Sequence, residues 1–149
     1  MKITRKPYGK ENELNLKLVI ALSRTISAEN RMTQATLREY GLTIAQFGVL
    51  EALYHLGNLK ICEIIEKTLS TSGNMTVVIN NLERDGYIHR YSDLEDKRVS
   101  MIALTNKGTA IISEVFPVHV ERLFNHFEVL DLEEKKTLLA LLKRLNRLK

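Results

Sequence analysis

The residues best suited to recognition chemistry lie in one short polar segment of the sequence. At about 100° per residue, a helix over residues 73–84 would place Thr76, Val77, Asn80 and Arg84 on one side. An asparagine can bond bidentately to adenine, and the methyl groups of threonine and valine can contact those of thymine. This face has the composition of a surface that reads base edges in a major groove, although a solvated helix face can share that composition.

The residues at the start of this predicted helix are suited to phosphate contacts. Gly73 allows the backbone to approach a phosphate closely, and the positive end of the helix dipole points the same way. Thr71, Ser72 and Asn74 offer hydrogen bonds of the kind that position a protein on DNA without reading its sequence.

A second polar segment, residues 92–98, ends with the two basic side chains Lys97 and Arg98. A guanidinium is favoured in a narrow minor groove, where the phosphate potential is strong. Asp93 or Asp96 could hold Arg98 by a bidentate pair and preset its direction. A charged surface hairpin is common, so this loop carries weight only together with the helix before it.

The elements that position these residues follow from hydrophobic periodicity. Apolar residues at every fourth position from Leu14 predict a first helix. A capping box of Thr43 and Gln46 opens a second helix, which Gly57 ends. The later elements are helices over 61–69 and 73–85, β-like runs over 87–91 and 99–104, a helix from Thr105 to Glu128 with a kink expected at Pro117, and a terminal helix opened by Asp131 and Glu134.

Two short helices joined by a tight turn form a helix-turn-helix, and the two strands after them form a wing. We predict a mainly α fold with a small β-hairpin wing, in a single domain of residues 1–149. The DNA-binding lobe spans about 43–104, and dimerisation helices lie at about 11–40 and 106–149. The leucine stripes of the first and last helices exceed what one chain of this size can cover, so a two-fold homodimer is expected.

Bulk composition limits the alternatives. The 149 residues, 44% hydrophobic and 27% charged, suit one soluble domain, and no apolar run approaches a membrane span. The charged amino terminus does not resemble a secretory signal, so a cytoplasmic, nucleoid-associated protein is expected. The net charge of +4 permits DNA binding without requiring it. Without a Gly-rich phosphate loop or a recognisable nucleophile, neither an enzyme nor a cofactor is expected.

Residues 70–108 carry the segments SGNMT, NLERDGYI, DKR and LTNKG, and in this they resemble the core of the MarR family of bacterial regulators. The resemblance extends from the first predicted helix to the C-terminus. It implies a homodimer that binds pseudo-palindromic operators, often as a repressor, and releases DNA when a ligand or oxidant acts. The family's aspartate and wing-tip arginine match Asp96 and Arg98. Leu94 replaces the usual proline, and Lys97 replaces the more common first arginine.

The resemblance also implies an effector cleft between the dimer arms and the DNA-binding lobe. Aromatic walls with a few polar groups suit a planar organic ligand. The candidate lining residues are Phe47, Leu50, Tyr54, Phe116 and His119, although for any one of them an ordinary core position is the better interpretation.

Three alternatives remain open at this stage. Oxidation of Cys62, near the start of the predicted helix 61–69, would disturb the DNA-binding lobe, although a half-buried structural cysteine is the better interpretation. His119 and His126 share a helix face but lie about 10 Å apart along it, which disfavours a zinc site, and no metal is expected. A winged-helix module that binds protein, or an architectural DNA protein, is compatible with the modest charge.

Overall fold

The computed structural model describes residues 8–68 and 72–147. Within them the chain forms six helices and a small antiparallel sheet, which confirms the mainly α fold with a β wing. The elements are α1 (Lys10–Arg38), α2 (Ile44–Leu56), β1 (Leu59–Lys60), α3 (Ile61–Thr68), α4 (Ser72–Arg84), β2 (Ile88–Ser92), β3 (Ser100–Leu104), α5 (Asn106–Phe127) and α6 (Leu132–Leu145).

The second helix, α2, lies at the centre of the fold. Its predicted capping box is confirmed, because the Thr43 hydroxyl accepts from the Gln46 amide at 3.1 Å and the Gln46 side chain accepts from the Thr43 amide at 3.0 Å. The helix packs against α1, α3, α4 and α5. It buries Phe47, Val49, Leu50 and Leu53.

The wing is a hairpin in which β2 and β3 pair in register from Ile88 opposite Leu104 to Ser92 opposite Ser100. Both strands begin one residue later than predicted, which is within the usual uncertainty of element ends. The two-residue strand β1 pairs with the other edge of β3 and was not predicted. Two residues are too few to display the alternation by which a strand is recognised in a sequence.

Hydrogen bonds and close packing join the turn after α4 to the start of α5. The Thr105 amide donates to the Tyr87 carbonyl at 3.1 Å. The Lys107 ammonium donates to the Asp85 carbonyl at 2.7 Å and lies 4.5 Å from the centre of the Tyr87 ring. Gly108 approaches the Tyr87 carbonyl so closely that any Cβ would overlap it. The LTNKG segment therefore attaches α5 directly to the DNA-binding lobe.

The first and last helices are largely uncovered. α1 buries only Thr33 and Leu37 near its C-terminal end. α6 begins with the predicted capping box of Asp131 and Glu134, yet no residue of it is buried within the described chain. α5 continues through Pro117. Apolar side chains left exposed on these three helices include Leu14, Leu18, Leu22, Ile26, Phe124, Leu138, Leu141 and Leu145.

Candidate nucleic-acid interface

The recognition helix α4 has one buried face and one open face. Met75, Ile79 and Leu82 are fully buried, as the apolar stripe predicted, and they hold the helix in the core. Val77 and Asn80 lie on the opposite face and are exposed. Thr76 and Arg84 share that exposure. The structure therefore brings the four predicted outer-face residues onto one solvent-facing surface.

The segment predicted to contact phosphates, at the start of α4, is described only in part. Thr71 lies outside the described residues, and Ser72 and Gly73 are described only as the backbone of the first helical turn. Asn74 follows them in this turn with an exposed side chain. The assignment of these residues to phosphate contact stays a prediction.

The wing tip presents an arginine held in one direction. Asp96 accepts hydrogen bonds from the backbone amide and the Nε of Arg98, both at 3.1 Å, and its second oxygen accepts from Nη2 at 3.3 Å. The Arg98 side chain is nevertheless 91% exposed. The hydrogen bonds from Arg98 lower the pKa of Asp96, so this carboxylate stays ionised near neutral pH. The pair orients the guanidinium and leaves it accessible.

Of the two aspartates considered for this role, Asp96 is the one that contacts Arg98. Asp93 instead accepts from the Glu95 amide at 3.2 Å and so shapes the loop itself. Lys97 stands beside Arg98 with an exposed side chain. The wing tip thus offers two cations, of which the aspartate orients one.

Arg84 extends the positive surface to the C-terminal end of α4. Its Nε lies 3.0 Å from a carboxylate oxygen of the adjacent Asp85, and its side chain is 70% exposed. An exposed pair of this kind contributes about 0–1 kcal/mol, so Arg84 can exchange this partner for a phosphate at little cost.

The outer face of α4 has a partner that sequence reasoning missed. Arg90, on β2, donates from Nη2 to the Asn80 side-chain oxygen, and its Nε lies 3.2 Å from a carboxylate oxygen of Glu83. The positions are ten residues apart and belong to different elements, so no helical or strand periodicity connects them. The sequence shows that the wing carries arginines, but it does not show that Arg90 contacts Asn80.

A cleft of about 750 Å³ opens between α2 and the helix-turn-helix. Three charged or titratable side chains, Glu51, His55 and Lys67, stand among mostly apolar neighbours. The described residues that line it are Ile44, Ala45, Gly48, Glu51, Ala52, His55, Leu56, Lys67, Thr68 and Met75.

The five residues predicted for an effector pocket occupy different environments. Leu50 is fully buried and Phe47 is 4% exposed, so both are core residues and not cleft walls. Tyr54 faces outward and is 42% exposed. Phe116 and His119 are half-buried on α5. The sequence patterns of helix faces could not separate these cases, because all five positions lie on or near apolar stripes.

An aromatic cluster brings part of this set together and adds a residue that was not predicted. The ring centres of Phe47 and His119 are 4.9 Å apart, and those of His55 and Phe116 are 4.5 Å apart. His55 also lines the cleft, so it connects the cleft to α5.

A polar network lies next to this cluster, between α1 and α5. Arg122 Nη2 donates to Glu29 at 2.8 Å and also to the Thr33 hydroxyl, and Thr33 donates to Glu29 at 2.6 Å. Burial alone would raise the pKa of Glu29, but the hydrogen bonds from Thr33 and Arg122, and the charge of Arg122, hold it below its ordinary value. These hydrogen bonds join α1 to α5.

The Nδ1 atom of His119 lies 3.5 Å from Nη2 of Arg122, and the side chain is half-buried. Burial lowers the pKa of His119, and the charge of Arg122 lowers it further, while Glu51 and Glu29 act in the opposite direction. The imidazole is therefore neutral at pH 7 and packs as an aromatic ring.

The described residues bear differently on the two alternative chemistries, redox and metal binding. The expectation of a half-buried Cys62 is wrong, because its side chain is exposed. The buried stripe of α3 follows Ile61, Ile64 and Ile65, and position 62 points away from it. Within residues 8–68 and 72–147, no group of three or more histidine, cysteine or acidic side chains is placed to hold a metal ion. No helix in these ranges is long and apolar enough to cross a membrane.

A winged helix-turn-helix with an open recognition helix and a basic wing tip is the architecture of a DNA-binding regulator. The sequence profile of the MarR family matches residues 42–100. The HTH-type transcriptional regulator MhqR of Bacillus subtilis is 34% identical over 132 residues, which are 89% of this chain and 91% of that protein. The chain belongs to the MarR family, and it is a DNA-binding transcriptional regulator and not an enzyme.

Solved structures agree with this assignment. The structure of S. aureus MepR bound to DNA is similar with a TM-score of 0.76 and 27% identity, covering 85% of this chain and 95% of MepR. Bordetella bronchiseptica BpsR, whose DNA binding is regulated by 6-hydroxynicotinic acid, is similar with a TM-score of 0.77 and 25% identity, covering 87% of this chain and 98% of BpsR.

The lowered pKa of His119 predicts a loss of stability on mild acidification. Its pKa in the unfolded chain is near 6.5 and its folded pKa is lower, so between these two values the unfolded chain binds more protons. The free energy of unfolding should therefore fall as the pH decreases through about 6.5 towards the folded pKa. The dependence should flatten in His119→Gln, which cannot be protonated in this range.

Thermal denaturation followed by circular dichroism at several pH values checks this. His89→Gln removes an exposed histidine of the wing and is the matched control, which should keep the wild-type slope. An unchanged slope in His119→Gln would contradict the assignment of the titration to this residue.

Proposed function

We propose that this protein is a repressor that binds a pseudo-palindromic operator as a homodimer and releases it when a small organic effector binds. The observation that carries DNA binding is the open outer face of α4 next to a wing whose Arg98 is oriented by Asp96 and remains 91% exposed. A face of small and polar residues enters a major groove, and an oriented guanidinium enters the adjacent minor groove. The similarity to S. aureus MepR, whose structure is a complex with DNA, supports DNA binding by this chain.

The uncovered helices support the homodimer. α6 has a strong capping box and an apolar stripe, yet no residue of it is buried within the described chain. Leu14, Leu18 and Ile26 on α1 are each more than half exposed. A stripe of this size is covered at least cost by the same helices of a second copy, because a two-fold axis hides both stripes at once. Two recognition helices then lie about 34–36 Å apart, in successive major grooves.

The cleft beside α2 supports the effector. Its mostly apolar walls with Glu51, His55 and Lys67 suit a planar organic molecule that carries one or two polar groups. Through His55 the site extends towards Phe116 and His119 on α5. Because α5 is attached to the turn after α4, an occupant of this cleft is placed to change the spacing of the recognition helices.

DNA recognition by this chain can be tested by selection of binding sites. Selection from random duplexes should recover a pseudo-palindrome with half-sites about 10–10.5 base pairs apart. Arg98→Ala should weaken binding to all selected sequences and reduce the slope of log affinity against log salt by about 1, because one phosphate-region cation is lost. Lys143→Ala removes the same charge from α6 and is the matched control. Weak binding without a motif, insensitive to Arg98→Ala, would indicate an architectural role.

The proposed dimer can be tested by placing a charge in the exposed stripe of α1. Leu18→Glu places a carboxylate in the exposed stripe of α1 and should convert the protein to a monomer in analytical ultracentrifugation. Operator affinity should then fall by about 100-fold or more, since the two half-sites no longer act together. Lys17→Glu introduces the same carboxylate one residue away, on the polar side of the helix, and should stay dimeric. A dimeric Leu18→Glu protein would place the interface elsewhere.

The proposed effector site can be tested by filling the cleft beside α2. A panel of small aromatic acids and phenols should contain compounds that release operator DNA, measured by fluorescence anisotropy. Ala52→Met fills the cleft and should reduce the potency of these compounds about tenfold or more, with operator affinity unchanged. Ala110→Met adds the same side chain at an exposed position of α5 and should respond normally. A full response from Ala52→Met would remove the cleft from consideration.

A further inference from the structure

The contact between Arg90 and Asn80 determines which hydrogen-bonding groups α4 offers to DNA. A guanidinium has N–H donors and no acceptor. The Asn80 atom that faces Arg90 Nη2 is therefore the side-chain oxygen, whichever way the amide is drawn. The acceptor of Asn80 is engaged by a cation of the wing. The amide nitrogen with its two hydrogens is therefore better placed than the oxygen to bond a base.

Arg90 is itself fixed in place. Glu83 lies one helical turn after Asn80, and its carboxylate is 3.2 Å from Arg90 Nε. This contact is electrostatic, because among residues 8–68 and 72–147 Arg90 Nε has no partner with hydrogen-bond geometry. The arginine side chain is 31% exposed, so the strand and the helix enclose most of it. A side chain held from two sides keeps its guanidinium against the Asn80 amide.

We propose that Arg90 is a specificity-positioning residue, and that through it Asn80 reads a guanine. Adenine recognition by asparagine uses the amide oxygen as an acceptor for N6 and the amide nitrogen as a donor to N7. One lone pair of the oxygen accepts from Arg90, and the positive guanidinium beside it disfavours the approach of a second donor, so the combined edge of amide nitrogen and guanidinium acts mainly as a donor. Guanine presents two acceptors in the major groove, O6 and N7, and is the base whose edge matches.

This inference rests on the proposed entry of α4 into the major groove, and it replaces the adenine contact that the sequence alone favoured. The residue type at position 80 suggested adenine because an isolated asparagine has both a donor and an acceptor. The contact from β2 places a cation at the acceptor and so favours the donor.

The test is selection of binding sites from random duplexes by four proteins. The wild type should select guanine at one position of each half-site, and Asn80→Ala should flatten that position, with a loss of about tenfold in discrimination. Arg90→Met releases the amide oxygen and should shift the same position towards adenine. Arg84→Met removes an exposed arginine from the same helix and is the matched control. It should weaken binding to all sequences and leave the guanine in place.

Arg90→Lys guards against a folding defect in Arg90→Met. It keeps the charge, but a single ammonium cannot hold Asn80 and Glu83 as the planar guanidinium does. The guanine preference should weaken while overall affinity is retained, and circular dichroism should show an unchanged fold.

Several outcomes would overturn the inference. Wild-type selection of adenine at the Asn80-dependent position would do so. A motif indifferent to Asn80→Ala, or an Arg90→Met protein that keeps the guanine with uniformly lower affinity, would overturn it and leave the proposed operator binding intact. Absence of any motif with the wild type would overturn both.

Discussion

The arrangement of the DNA-binding lobe depends on the burial of one side of α4. Met75, Ile79 and Leu82 are fully buried, and burial of each contributes about 1.5–3 kcal/mol. Their sum is comparable with the net stability of a typical domain, about 5–15 kcal/mol. Because a rotation of the helix would expose all three, α4 has one orientation. That orientation directs Val77 and Asn80 outward, so the recognition surface is a consequence of the core.

The same constraint extends to the rest of the chain through the turn after α4. Lys107 and Gly108 attach α5 to this turn through a short hydrogen bond and a backbone contact with no room for a side chain. Further along α5, Arg122 binds Glu29 of α1. The recognition helix and α1 are therefore connected through α5 by packed elements, and α2 contacts all three.

Local patterns predicted much of the fold and part of the candidate site. The helix caps at Thr43, Thr105 and Asp131 need only residues three positions away, and Arg98 finds its aspartate two residues before it. Contacts over longer separations were not predictable from one sequence. Arg90 meets Asn80 from another element, and the pairing of β1 depends on a strand about forty residues later.

Residues within one or two helical turns of each other were enough to predict the order of the elements, the buried face of α4 and the basic tip of the wing. Tertiary packing settled which groups on the open face of α4 are engaged, as the contact of Arg90 with Asn80 shows. It also separated Leu50, in the core, from Tyr54, at the surface, although both lie on α2. Hydrogen bonds and burial depend on which elements are in contact, and the contact of α4 with β2, or of α2 with α5, is set by the packing of the whole chain.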